Sequence, residues 1–178
     1  PSDPKQKIHA ENELQGIDFE DKKSIDMISI LGHSETEWMY RNILSSGSLL
    51  AKSCQGSLKF ANQSEELQQH GFTFGKHLAL AWQAAVDLKP FLMENLPQNS
   101  SLDLVSAPIL FHLDDDPSLY EEIKKGKVSV ENVNSQKIHQ AVLAGSGIEK
   151  TRELQAKHGE VALNTLNKFP SNDAMSYF

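Results

Sequence analysis

The sequence predicts an all-α fold, on three observations. Apolar residues recur at three- and four-residue steps through most of the chain after residue 34, the spacing that gathers them on one face of a helix. The breaks between these stretches carry helix-start and helix-stop residues. No long stretch alternates apolar and polar residues as a half-buried strand would. At 178 residues and 39% hydrophobic, the chain is long enough for one domain with a substantial core.

Residues 1–34 are polar and acid-leaning, with Glu11, Glu13, Asp18, Glu20, Asp21 and Asp26 around a few lysines, and read as a lead-in or linker. The helical domain is expected over 35–178, and an acidic docking arm is the functional alternative for the lead-in. From Glu35 to Ala61 a helix presents Met39, Ile43, Gly47, Leu50, Cys54, Leu58 and Ala61 on one stripe. Its small residues, Ser46, Gly47, Ser53, Gly56 and Ser57, suit close approach of a neighbouring helix, which would account for two glycines inside it.

A second helix is expected behind Ser64 as N-cap, with Glu65 and Glu66 complementing the dipole of the first turn. Its stripe runs Leu67, Gly71, Phe74, Leu78, Ala81, Ala85, Leu88 and Leu92. Pro90 should end or kink it near Lys89, because an interior proline removes a backbone bond and clashes with the preceding turn, at about 3 kcal/mol. Pro108 opens a short apolar helix in SAPILFHL. In DDDPSLYEEIKKG, Asp116 caps, Pro117 takes the first helical position, Lys124 and Lys125 fill the last turn and Gly126 lies just past the end. Ser129 to Ala144 is a further helix closed by Gly145. Ser146 and Glu149 form a capping box before a helix to Lys168 with Leu154, Val161, Leu166 and Phe169 inward, stopped by Pro170. SNDAMSYF begins another.

Bulk properties bound the function. A formal charge of −7 argues against nucleic acid or an anionic membrane as a partner. Cys54 stands alone, so neither an internal disulfide nor a thiolate metal site can form, and a buried structural thiol is expected. No run reaches the roughly 18 to 20 apolar residues that span a bilayer, and no signal-type segment is seen. The chain begins at Pro1 without a methionine, as a processed or cut product would.

The stretch FGKHLALAWQAAVDLKPF, Phe74 to Phe91, carries the clearest chemical pattern. In a helix, D-D-x-x-D gathers three carboxylates where they can hold Mg²⁺ ions. Prenyl transfer needs such a clamp, because diphosphate leaves an allylic carbon as a multiply charged anion and metal ions neutralise that charge as it develops. This stretch resembles the helix of trans-polyprenyl diphosphate synthases in which G-x-x-L-G-L-A-F-Q precedes the second D-D-x-x-D. Gly75, Leu78, Leu80, Ala81, Trp82 and Gln83 match in type, and the aspartate positions fall on Val86, Asp87 and Pro90. One carboxylate remains.

Three other places share the resemblance. SSGSLLAKSC, Ser45 to Cys54, is similar to the family's K-T-A-x-L-x-x-x-S-C helix, with Ser45 where the diphosphate-binding lysine would stand and Ser46 for the threonine. LDLVSAPIL resembles the loop ending in T-L-P, with Pro108 kept and the lysine missing. GIEKTRELQAKHGEVALNTLNKFPSNDA resembles the closing helices. The resemblance covers about residues 38 to 178 and implies an isoprenoid-synthase-like helical bundle, its C-terminal half only. Loss of the metal aspartates and the diphosphate lysine, with LLAKSCQ retained, resembles the non-catalytic second subunit of heteromeric decaprenyl or solanesyl diphosphate synthases.

That resemblance implies a catalytic synthase subunit as partner, carrying the Mg²⁺, with no cofactor, metal or catalytic residue on this chain. It also implies the isoprenoid tail of ubiquinone as product and a mitochondrial location. Gly47, Ser53, Gly56 and Trp82 are the candidate interface residues. Two other readings stand beside it: a free-standing helical interaction module descended from a synthase, and a residual diphosphate-binding enzyme.

Each singled-out residue also has a structural reading. Asp87 is expected as a solvated or salt-bridged carboxylate near Lys89, and Asp114, Asp115 and Asp116 as a helix start rather than a metal cluster. His70 and His77 lack metal-ligand spacing and read as ordinary helix residues. Trp82 and Phe74, at helical spacing with Leu78, belong in the core unless they line a prenyl-chain channel. Lys52 should point away from Cys54.

Overall fold

The computed structural model describes residues 33–97 and 100–170, and among these there is helix and no strand. The expected lead-in, apart from its last two residues, and the SNDAMSYF helix lie outside the described residues. The helices are α1 (Ser34–Asn42), α2 (Ser48–Phe60), α3 (Glu65–Leu88), α4 (Ala107–Asp115), α5 (Tyr120–Lys124), α6 (Ser135–Ala144) and α7 (Gly147–Leu166). A π-helical segment, Ile43–Gly47, joins α1 to α2 without a break. Short 3₁₀ turns occupy Lys89–Leu92, Pro117–Leu119, Lys125–Lys127 and Val130–Asn132.

α3 is the axis of the fold, packed along α7 on one side and α2 on the other. Ser64 caps it as expected, its hydroxyl accepting from the Leu67 N–H. Two apolar clusters flank it. Trp38, Met39, Ile43, Leu80, Ala84, Phe111 and Leu154 join α1, α3, α4 and α7, and Phe91, Ile109, Leu119, Ile138 and Val142 join α4 to α6. Full burial of each larger side chain here contributes about 1.5–3 kcal/mol.

The buried faces differ from the expected stripes, for identifiable reasons. Through the π segment the turn widens, so buried positions step by four, Met39, Ile43, Gly47 and Ala51, and Leu50 is turned partly to solvent. On α3 the buried set is Gly71, Phe72, Gly75, Leu80, Ala84, Asp87 and Leu88, while Leu78, Trp82 and Leu92 are exposed. Glycine sets this rotation. A β-carbon on Gly75 would lie 2.8 Å from the Leu50 carbonyl oxygen and 2.9 Å from Ala51 Cα, and one on Gly71 would lie 3.2 Å from the Cys54 carbonyl oxygen. The close helix approach therefore uses Gly71 and Gly75. Gly56 has open space beside it, and the nearest atom to a β-carbon on Gly47 is the Asn42 carbonyl oxygen of its own turn.

Helix boundaries reflect local chemistry. α3 ends at Leu88 and Pro90 sits in the 3₁₀ turn, as its missing N–H requires. Pro108 lies in the first turn of α4. Asp114 and Asp115 belong to the last turn of α4, so of the three aspartates only Asp116 caps the Pro117–Leu119 turn, its side chain accepting from Ser118 N–H. Gly126 lies just past the C-cap Lys125 of α5, as expected, and there a 3₁₀ turn carries the chain on. α6 begins at Ser135 and not Ser129, because Asn134 supplies the cap to Lys137 N–H and donates its own N–H to Glu122. The expected capping box at Ser146 does not form, since that hydroxyl donates to Asp115 instead. α7 stops at Leu166, and its buried face is Thr151, Leu154, His158, Ala162 and Thr165, with Val161, Leu166 and Phe169 half-buried.

Candidate functional site

Val86, Asp87 and Pro90, the positions that the resemblance assigns to the aspartate motif, lie at the end of α3 and in the turn that follows it, and they have three different fates. Val86 faces outward, 45% exposed. Pro90 breaks the helix, which frees its carbonyl, and His139 Nε2 donates to that oxygen at 3.0 Å with the imidazole stacked on Phe91. Asp87 turns inward, 5% exposed, against the expectation of a solvated or Lys89-paired carboxylate.

Asp87 is held by N–H donors from three helices. Oδ2 accepts from Trp38 Nε1 of α1 at 2.8 Å and from the Ala107 N–H that opens α4 at 2.9 Å. Oδ1 accepts from Gln83 Nε2, one turn back on α3, at 2.7 Å. The Ala107 bond satisfies an orphan donor at a helix start, where a carboxylate also meets the favourable end of the dipole. Hydrogen bonds to an ionised acceptor are the strong ones, which lets a carboxylate sit in a core without a cation. Asp87 is a latch joining α1, α3 and α4.

This arrangement decides how well the motif suits the divalent ions that the family resemblance implies. Three positions offer one carboxylate, and both of its oxygens already accept N–H bonds, so the donor set does not fit a metal clamp. Among the described residues no group of three His, Cys, Asp or Glu side chains is placed to hold a metal ion. Ser45 and Ser46 are exposed on the π segment, and the Ser45 hydroxyl donates to the Asn42 carbonyl at 3.2 Å. Neither hydroxyl carries the positive charge a diphosphate would meet at the lysine.

Trp82 is 71% exposed and so outside the core, while Phe74 is half-buried. With Leu78 and Val86, Trp82 makes an i, i+4, i+8 apolar ladder along the open face of α3. Ser53 is exposed, Gly56 half-buried and Gly47 buried. Cys54 is half-buried, and burial pushes its thiol above the ordinary value. The Lys52 ammonium lies 5.2 Å from the centre of the Phe72 ring and donates to Gln55. Asp115 is paired with Lys150 at 2.7 Å, and that ammonium, with the Ser146 hydroxyl, holds its carboxyl below the usual range. His77 is no isolated helix residue, because its Nδ1 meets His158 Nδ1 of α7 at 2.9 Å.

Sequence reasoning missed Trp38, His139 and His158. Gln83 had a signal, since it stands four residues before Asp87 on the same helix face. Trp38 had none, because its partner lies 49 positions away.

No family model matches the chain. Human all trans-polyprenyl-diphosphate synthase PDSS2 is 30% identical over 169 residues, covering 92% of this chain and 41% of the human protein. The mouse protein of the same name is 32% identical over 145 residues, 78% of this chain and 35% of its own length. The chain thus spans well under half the length of these curated relatives. Relatives from rice and Neurospora crassa are named mitochondrial. In fold, the chain is similar to the apo form of an Arabidopsis medium/long-chain length prenyl pyrophosphate synthase, with a TM-score of 0.65 at 23% identity over 95% of this chain and 55% of that one. Similarity over most of the chain and a shared helical fold agree with the order of the residual motifs: over most of its length the chain is similar to trans-polyprenyl diphosphate synthases.

Proposed function

We propose that this chain is a non-catalytic, regulatory subunit of a heteromeric trans-polyprenyl diphosphate synthase that makes the isoprenoid tail of ubiquinone. The observation that carries the reading is Asp87. The remaining carboxylate of the aspartate motif is built into the core as a three-donor latch, beside an exposed valine and a helix-breaking proline. Ionisation of the allylic diphosphate, condensation and proton loss then fall to a catalytic synthase chain with its own Mg²⁺ sites. The relatives named mitochondrial support that compartment.

The docking surface is the open face of α3. Leu78, Trp82 and Val86 are 40%, 71% and 45% exposed, and apolar area left in water forgoes about 25 cal/mol per Å². A contiguous exposed apolar strip of this kind marks an interface. Ser53 and Gly56 of α2, open to solvent on one side, extend the same proposal. Gly47, buried within its own turn, serves through the shape of the π segment.

Co-purification tests this. Tagged chain, expressed in its native cell, should bring down a synthase chain, and Trp82→Asp should weaken that complex tenfold or more while leaving the circular dichroism of the chain unchanged. Alone, the chain should sediment as self-associated species. A stable monomer that ignores both the Trp82 change and an added synthase chain would favour the free-standing module.

A further inference from the structure

His77 and His158 meet on the seam between α3 and α7, the most extensively packed pair of helices in the fold. Their Nδ1 atoms are 2.9 Å apart and the ring centres 5.0 Å apart. At that distance one nitrogen donates and the other accepts. His158 is 3% exposed and its Nε2 is buried with no hydrogen-bond partner among the described residues. A proton on that atom would be an unsatisfied buried donor, so the His158 proton belongs on Nδ1, donated to a bare His77 Nδ1.

We propose that His77 and His158 form an acid-sensitive lock on the α3–α7 seam, closed by one Nδ1–H···Nδ1 hydrogen bond while both rings are neutral and opened by protonation. A proton added at His77 Nδ1 sets two N–H groups against each other and removes the bond. One added at His158 Nε2 creates a charge and an orphan donor in the core. The charged groups that bear on the pair are Lys76 beside His77 on α3 and Lys157 beside His158 on α7, and both oppose protonation. Glu35 of α1 lies 3.1 Å from Lys157 and partly offsets it.

These shifts set the pH window. Burial first, and then these neighbouring cations, push His77 down to about 3 and His158 down to about 4, whereas an unfolded histidine titrates near 6.5. The unfolded chain therefore binds more protons at mildly acid pH. The stability contributed by the neutral pair is complete above about pH 6.5 and is lost as pH falls, toward about 4 for His158 and about 3 for His77.

Equilibrium urea unfolding of the full chain between pH 7.5 and 4.5, beside the double variant His77→Gln/His158→Gln, tests the lock. Each extra proton taken up on unfolding lowers the folded-to-unfolded ratio by up to about tenfold per pH unit. The unsubstituted chain should lose at least about tenfold more per pH unit below pH 6 than the double variant. Parallel curves would overturn the proposal. If the double variant does not fold, imidazole nitrogen NMR of the unsubstituted chain decides. Both rings should remain neutral at pH 5.5, with the His158 proton on Nδ1, and rings that charge near 6.5 would overturn it.

Discussion

Asp87→Ala should lower the stability of the chain by about 2–6 kcal/mol, from two buried N–H groups left without an acceptor at about 1–3 kcal/mol each. The substitution strands the Trp38 indole N–H and the Ala107 N–H in the core and frees Gln83. Typical domains are stable by only about 5–15 kcal/mol, so the change removes a large share of the total. Asp87→Asn separates this account from a mere size effect. Its amide oxygen can still accept from Trp38 and Ala107, while its NH₂ faces a Gln83 amide that can turn to accept, and its cost should stay under about 2 kcal/mol. Urea denaturation measures both. Equal losses for Ala and Asn would show that the negative charge, not the pattern of acceptors, is what the three donors require.

The second large effect is a pair of identical substitutions with opposite signs. In a helix interior, Gly→Ala gains about 1 kcal/mol from propensity alone. At Gly56 no atom of the described residues lies within 4 Å of the new methyl, so Gly56→Ala should stabilise by up to that amount. At Gly75 the methyl would sit 2.8 Å from the Leu50 carbonyl oxygen and 2.9 Å from Ala51 Cα. Both are backbone, which cannot swing aside, so α2 must move off α3, at a cost of typically about 1–3 kcal/mol that outweighs the propensity gain. Thermal unfolding of the two variants should shift in opposite directions.

These cases show what was legible in the sequence. Features set by residues within one turn could be read: the Ser64 cap, the break at Pro90, the start at Pro108 and the cap at Asp116 all rest on chemistry local to their own segment. Features that depend on what another helix brings could not. Ser146 has the spacing of a capping box, yet its hydroxyl is taken by Asp115 from α4. Gly47 and Gly56 have the composition of a close-packed face, yet the contact uses Gly71 and Gly75, because the π segment changes which side of α2 faces inward. In the candidate site, the positions Val86, Asp87 and Pro90 could be picked out by resemblance alone. The inward turn of Asp87 was not, since Trp38 and Ala107 lie 49 and 20 positions away.

The central proposal is that a structural latch at Asp87 stands where a synthase would hold a metal clamp, and that the chain works through a partner. The most direct measurement is elongation of an allylic diphosphate with radiolabelled isopentenyl diphosphate and Mg²⁺. It compares the chain alone, a catalytic synthase chain alone, and the two together. The account predicts no product above the no-protein background from the chain alone, and more product, or longer product, from the mixture than from the catalytic chain by itself. Chelator-sensitive product from this chain alone would contradict it.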